Sequence, residues 1–545
     1  MATPTEIETA TGEVNESRCD AAASPSHGRA QIVGLVTILT LGVAVLGYVR
    51  EATLAARFGV SSTMDAYFGA IFVPSNIHLI LVVGTVSPIL IPILLHANGE
   101  DRSRTSESFS IVTNFVLILF AAVVICGLAT ARHWLVWLFP GFDATTQAIS
   151  LRLIYIILPA VPVLALAGVV TAALNGFHRY SLAAFAPALS SLAVIATALM
   201  ARGERAIYIV GLGTTIGFVL QFLVLIPAIR SLGIRYRPIF HLRHPTIIRL
   251  AQLGAPLLLY LVVANASLVI ERNLASRLPA GALSSLTYAM RLFTVPSNFL
   301  AAPLVIVAYP YLAREALRKN YGELREELAR ILRFVVFLFA PVTVWLILNA
   351  LPITRVLYER GHFMSADSSV VSHVFRLYAV GILPNAITVL LLRCFYAVED
   401  TLTPLWVESI DLVYFTVCAP LLTHRFGISG LAITRGLTFV LVATILSFVL
   451  WRNKGLLTID RDVLAFLIRT ALATAGMAIV SWFGMQLFQS LFDRSGTLWR
   501  AGLVGIQIVL DAGIFLSIAS LLKMHEANKF LRTAWTLFQG TPAKA

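Results

Sequence analysis

Apolar stretches long enough to cross a lipid bilayer, about 20 residues each, recur along the chain. They lie near 31–57, 64–97, 107–130, 148–175, 180–201 and 206–229, then near 247–273, 283–313, 331–351, 366–397, 402–424 and 427–451, and finally near 463–489 and 497–522. The pattern predicts an all-α integral membrane protein of fourteen transmembrane helices, grouped as six, six and two. The expected division is a disordered cytoplasmic tail (1–30), a first six-helix lobe (31–230), a basic cytoplasmic linker (231–246), a second six-helix lobe (247–455), the final two helices (456–525) and a C-terminal cytoplasmic tail (526–545).

Composition supports a chain whose main solvent is lipid. Of 545 residues 58% are hydrophobic and 13% charged, with a mean hydropathy of +0.84, whereas soluble domains carry roughly 25% charged residues. The net charge of +13 would suggest nucleic acid in a soluble protein. Here the Lys and Arg sit mostly in short segments between apolar stretches, where they act as an orientation signal. Arg230, Arg235, Arg237, Arg243 and Arg249 mark one such segment, and Arg314, Arg318, Lys319, Arg325, Arg330 and Arg333 another. Both are expected in the cytoplasm, with both termini. Cys19, Cys126, Cys394 and Cys418 are far apart and signal neither a disulfide framework nor a zinc site.

The chain also repeats itself. Val73-Pro74-Ser75-Asn76 in the second stretch recurs as Val295-Pro296-Ser297-Asn298 in the eighth, Pro88 falls on Pro310 at the same offset, and Leu54-Ala55-Ala56-Arg57 lines up with Leu274-Ala275-Ser276-Arg277. Because six helices return the chain to its starting side, the two halves share one topology about an axis along the membrane normal. Transporter halves arranged this way rock about a site at their interface.

An ionisable group at membrane depth costs several kcal/mol unless it faces a cavity or a partner, so each is a functional candidate. Arg50 and Glu51, Asp65 and His78, Glu271 and Arg272, and Arg291 all lie in the first two helices of a half. Together they place a polar, partly cationic cavity at the pseudo-symmetry axis. Asp65, Glu271 and Arg272 are equally well read as interfacial charges that snorkel, and His78 as a packed core residue. Arg50 and Arg291 are the leading anion ligands, since a guanidinium grips phosphate with two parallel donors and keeps its charge when desolvated. A second cluster joins Glu408 and Asp411, on one helix face, to Thr434 and Arg435. It suits Na⁺ or a proton as a coupling ion, and equally a salt bridge from Asp411 or Glu408 to Arg435.

No Gly-Lys dipeptide occurs, which excludes a Walker-type phosphate loop. Asp460-Arg461-Asp462 could mimic the metal site of a membrane glycosyltransferase, but it falls in a short cytoplasmic loop. A multidrug exporter would want an acidic or aromatic cavity, which the Arg50 and Arg291 pair opposes.

Gly47-Tyr48-Val49-Arg50-Glu51-Ala52, Met64-Asp65-Ala66-Tyr67-Phe68, Leu174-Asn175-Gly176-Phe177-His178-Arg179-Tyr180-Ser181 leading to Phe185-Ala186-Pro187, Tyr288-Ala289-Met290-Arg291-Leu292, and Tyr396-Ala397-Val398-Glu399-Asp400-Thr401-Leu402-Thr403-Pro404 resemble the MurJ/MviN family. The likeness runs from about residue 31 to 450. It implies a flippase, not an enzyme, which moves undecaprenyl-pyrophosphate-linked lipid II to the outer leaflet of the bacterial cytoplasmic membrane, within the multidrug/oligosaccharidyl-lipid/polysaccharide exporter superfamily. It further implies a V-shaped pair of lobes, a groove for the lipid tail on the last two helices, cavity roles for Arg50, Glu51 and Arg291, and required positions at Ala55, Asp65 and Ser284. The implied partners are the lipid-linked glycan, membrane lipids and the cell-wall synthesis machinery, with no nucleic acid. No cofactor is implied, and Na⁺, H⁺ or the membrane potential would supply the bias. The sequence departs from the family where cavity arginines are expected, at Ala44, His78 and Leu79. A weaker cationic cavity leaves another polyprenyl-linked glycan, such as an exopolysaccharide or O-antigen repeat unit, as the alternative substrate.

Overall fold

The computed structural model describes residues 27–100, 102–239, 241, 244–458, 460–493 and 496–528, so the expected tails fall almost wholly outside it. The first half of the chain contains α1 (His27–Phe58), α2 (Ser62–Ile77), α3 (Ser87–Glu100), α4 (Arg102–Ala129), the short α5 (Ala131–Leu138), α6 (Ala144–Ile157), α7 (Val161–Gly176), α8 (Tyr180–Met200) and α9 (Ala206–Ser231). The second repeats this order as α10 (Pro245–Ser276), α11 (Ala282–Pro296), α12 (Ala302–Leu317), α13 (Tyr321–Leu348), the short α14 (Ala350–Tyr358), α15 (Ser365–Ala379), α16 (Ile382–Ala397), α17 (Leu402–Phe426) and α18 (Ile428–Arg452). Two long helices, α19 (Arg461–Asp493) and α20 (Thr497–Leu521), follow.

The repeat legible in the sequence has a backbone counterpart. α2 passes into α3 through the π-helical turns His78–Val86, and α11 passes into α12 through the π-helical turns Ser297–Ala301. The first follows the Pro-Ser-Asn triplet and the second begins within it. A proline inside a helix lacks the N–H for the carbonyl four residues back, and π turns are one way a helix absorbs such a mismatch. Asn76 Nδ2 donates to Phe72 O at 2.9 Å, and Ser297 Oγ accepts from Asn385 Nδ2 at 3.0 Å, so the triplet's polar groups find partners inside the protein.

Among the described residues twelve helices are long and apolar enough to cross a membrane, or thirteen when α15 and α16, bent by 43° at their junction, count as one span. The fourteen expected from the apolar stretches is not reached. The stretch expected as the eighth span is α11, its π turns and α12, which do not meet that test; α11 carries Ser284, Ser285, Thr287 and Arg291.

Small residues let the spanning helices approach closely, as packing in lipid requires. Along α9 a Cβ on Gly217 would lie 2.8 Å from Ser190 Cα, and one on Gly213 would lie 2.8 Å from Thr197 Cβ. The connection between α9 and α10 is stapled to α4 by a polar stripe at every fourth residue. Arg235 N donates to Ser106 Oγ (3.2 Å), Arg237 N to Ser110 Oγ (2.9 Å), and Asn114 Nδ2 to Ile239 O (2.9 Å). The expected linker is therefore a backbone partner of the first half.

Gly217→Val adds side-chain atoms where backbone already sits. Overpacking of this kind costs roughly 1–3 kcal/mol, so the variant should lose several degrees of Tm in a detergent thermal-shift assay. An unchanged Tm would show that α8 and α9 can separate freely.

Candidate transport site

Two turns before the end of α1, Arg50 and Glu51 lie side by side. Arg50 Nη2 donates to Glu51 Oε1 at 2.8 Å, and Arg291 Nε of α11 reaches the same oxygen at 3.4 Å. One carboxylate thus bridges a cation from each half of the chain. Glu51 is buried, while the Arg50 and Arg291 side chains keep 23% and 46% of their exposure. Glu51 Oε2 is buried without a hydrogen-bond partner. The guanidinium groups therefore keep accessible surface, while the carboxylate between them does not.

Arg272 supplies a third cation. It donates to Thr287 Oγ1 at 2.7 Å and lies over the Phe72 ring at 5.6 Å, and among the described residues no carboxylate forms an ion pair with it. Arg272 and Glu271 find different partners. As neighbours on α10 they diverge to opposite sides, Arg272 toward the first half and Glu271, buried, into the second.

Asp65, at the start of α2, is buried and accepts from Gly281 N and Ser284 N at 2.7 Å each. These belong to the N-terminus of α11, where backbone N–H groups lack helical partners and carry partial positive charge. A side chain of one half therefore caps a helix of the other. Gly281 is required: its φ is +90°, and a Cβ would lie 2.5 Å from Val60 Cγ1. Ser284, fully buried, donates its hydroxyl to Gly281 O at 3.0 Å.

Further contacts close the same end of the bundle. His362 N donates to Ala56 O at 2.8 Å, beside Gly361, and Ala55 is wholly buried. Gly141 N meets Ser276 Oγ at 3.3 Å, and Asn273 Nδ2 donates to Trp137 O at 3.0 Å. Inward of these, Tyr288 stacks edge-on with Phe68 across the halves at 5.5 Å and contacts Tyr358 and Phe363, forming an aromatic plug. The spacing of Tyr48 to Thr294, 3.4 Å between hydroxyls, ties α1 to α11. Sequence reasoning missed the aromatic plug because aromatic residues in an apolar chain carry no distinguishing signal.

His78 opens the π-helical segment, and its ring lies against Gly168 of α7, within the first half; Nδ1 has no partner. No hydrogen bond or ion pair joins it to Arg50, Glu51 or Arg291.

The expected salt bridge from Asp411 or Glu408 to Arg435 does not form. Arg435 Nε instead donates to Glu271 Oε2 at 2.7 Å and Nη1 to Ser267 Oγ at 3.2 Å, with the guanidinium 4.2 Å from the Phe415 ring centre. Tyr378 OH donates to Glu271 Oε1 at 2.8 Å. Glu271 thus satisfies the arginine that the sequence offered to Asp411 or Glu408. Thr434 donates to Gly430 O on its own helix, and Asp411 Oδ1 is buried without a partner.

A family model described as lipid II flippase MurJ matches residues 54–501. The lipid II flippase MurJ of Burkholderia cenocepacia is 28% identical over 499 residues, covering 89% of this chain and 95% of that protein. The probable lipid II flippase MurJ of Rhizobium meliloti is 27% identical over 512 residues, covering 90% and 94%. A solved structure of lipid II flippase MurJ in an inward closed conformation superposes with a TM-score of 0.76 at 23% identity, covering 89% of this chain and 98% of that one. An inward-facing multidrug resistance MATE family transporter of the MOP superfamily gives 0.64 at 14% identity, covering 77% and 98%. The architecture is thus shared with both.

Asp65→Ala removes the acceptor of two backbone N–H groups, worth about 2 kcal/mol, or roughly a 30-fold shift away from the closed end. Spin labels at Asp143 and Pro279 should report a longer distance population in this variant. An unchanged distribution would remove Asp65 as the latch.

Proposed function

Because the chain belongs to the lipid II flippase MurJ family, a family of transporters and not of enzymes, we propose that it carries lipid II from the inner to the outer leaflet of the bacterial cytoplasmic membrane by alternating access. The observation that carries this reading is the Arg50, Glu51 and Arg291 bridge, in which both halves contribute a cation to one buried carboxylate.

The triad bears one net positive charge, and Arg272 adds another beside it. A pyrophosphate entering between the halves meets exposed guanidinium donors already aimed inward. It displaces Glu51 from them, gaining charge-assisted bonds worth about 1.5–3 kcal/mol each. Since Arg50 and Arg291 come from different halves, substrate that occupies both holds the halves together at this depth. Release follows when the lobes separate at the end latched by Asp65, which pulls the two arginines apart. With both termini in the cytoplasm, that end faces outward.

The prenyl tail has an apolar place to stay in lipid. A cavity of about 410 Å³ lies between α13, α16 and α19, lined by Val336, Ala340, Leu383, Leu467, Ala471 and Ala475 among others. It opens beside the second lobe, so the tail can track the terminal helix pair while the head group crosses. Moving one charge through 100 mV is worth about 2.3 kcal/mol, so the membrane potential can bias a charged head group. A coupling cation at Glu408, Asp411 and Thr434 is the other source of bias. The cell-wall synthesis machinery is the natural supplier and consumer of this substrate.

Complementation of a strain depleted of its own lipid II flippase tests the reading. The wild-type chain should restore growth, while Arg50→Ala and Arg291→Ala should each fail although inserted at normal levels, with substrate binding weakened about 10- to 100-fold. Full rescue by either variant would sink the phosphate grip, and failure of well-inserted wild type would point to a different polyprenyl-linked glycan.

A further inference from the structure

A buried carboxylate sits outside the transport site, in the middle of α20. Asp511 is 3% exposed, and among the described residues no Lys, Arg or His lies in ion-pair contact with it. An aspartate at the centre of a membrane span with no counter-charge is costly and marks function.

Its surroundings are built. Trp345 Nε1 of α13 donates to Asp511 Oδ2 at 3.0 Å, and the Ser481 side chain of α19 and Gln507 of α20 lie beside the carboxylate. One turn away, capping the end of α13, Asn349 Nδ2 donates to Ser481 Oγ at 3.1 Å; one turn away on α20, Gln507 Nε2 donates to Ser481 O at 3.1 Å and lies 3.3 Å from its Oγ. Ser481, Asn349 and Gln507 are all buried, and Asn349 Oδ1 has no partner. Three helices thus converge on one carboxylate and one orphan acceptor.

The donor set discriminates between ligands. Three N–H groups, of Trp345, Asn349 and Gln507, point into the cluster and take Asp511 Oδ2, Ser481 Oγ and Ser481 O. Nitrogen-bound protons aimed inward oppose a metal cation, whereas a proton neutralises Asp511 without displacing them. Among the described residues no other titratable side chain forms an ion pair or hydrogen bond with Asp511. On α13 the nearest is Arg333, on α19 Arg469 and on α20 Arg500, each about three turns or some 16–18 Å along its helix. On α14 Arg355 turns to Glu359, which also takes Arg500 at 3.0 Å, and Tyr358 lies against Tyr288. Lys523, His525 and Glu526 lie past the C-terminal end of α20.

We propose that Asp511, with Trp345 and Ser481, forms an exchangeable proton-binding site at the seam between the terminal helix pair and the second lobe. Uptake of the proton removes the charge from the buried middle of that seam. Loss of the proton restores an anion held by the Trp345 N–H and the neighbouring Ser481 and Gln507 side chains, so protonation sets how firmly α20 docks on α13. The site lies beside the apolar cavity between α13, α16 and α19.

Infrared difference spectroscopy on the full-length protein in lipid, stepped from acidic to alkaline buffer, reads the proton directly. Wild type should lose a protonated-carboxyl C=O band that is missing from the Asp511→Asn difference spectrum. Trp345→Phe, which removes one donor to the anion, should keep that band and move its midpoint up by about one pH unit. Identical difference spectra for wild type and a folded Asp511→Asn would overturn the proposal, whether Asp511 is then always charged or always neutral. If Asp511→Asn does not fold, an unmoved midpoint in Trp345→Phe decides against it in the same way.

Discussion

An ionised side chain withdrawn from water into a helical bundle must find its counter-charge or its donors inside the protein, because lipid offers neither. That constraint decides which helices of this chain meet. Glu51 draws Arg50 and Arg291 together from separate halves, Glu271 holds Arg435 within the second half, and Asp65 finds its donors in the backbone at the start of α11. Only the first and last of these cross between the halves, and both lie toward the same end of the bundle.

The two crossing contacts differ in kind. Asp65 engages backbone N–H groups whose position is set by the helix, so it responds to the placement of α11 as a body. Glu51 engages long, half-exposed side chains that can swing to another anion without moving a helix. A substrate phosphate can therefore compete for the arginines while the closed end stays shut. The glycines at Gly281 and Gly361 and the small-residue contacts at Gly141 allow backbone to meet backbone there. The π turns after Pro74 and Pro296 sit in the two helices that run from that end along the space between the halves.

The family likeness and the physical reading reach the same residues by separate routes. Arg50 and Arg291 stand out from the cost of burying charge alone, and the structure brings them within reach of one carboxylate. The charge expected at positions 44 and 79 is absent from the sequence, yet Arg272 places a further cation beside Phe72 and Thr287. Its role was open in the sequence because a charge near a helix end is satisfied equally well by water.

Hydrophobic run length and the Pro-Ser-Asn repeat determined the membrane-spanning all-α class and the two-fold internal order, since both depend on composition within single helices and on local backbone chemistry. The ionisable residues at membrane depth also marked most of the site, because burial cost is a property of residue type. Tertiary structure decided the partners. Arg435 chose Glu271 over Asp411, Glu271 and Arg272 parted to opposite faces, and Asp511 met Trp345 and Ser481 from helices more than a hundred and about thirty residues away in the chain. Pairing across lipid depends on which helix faces meet, and one-dimensional spacing carries no record of that.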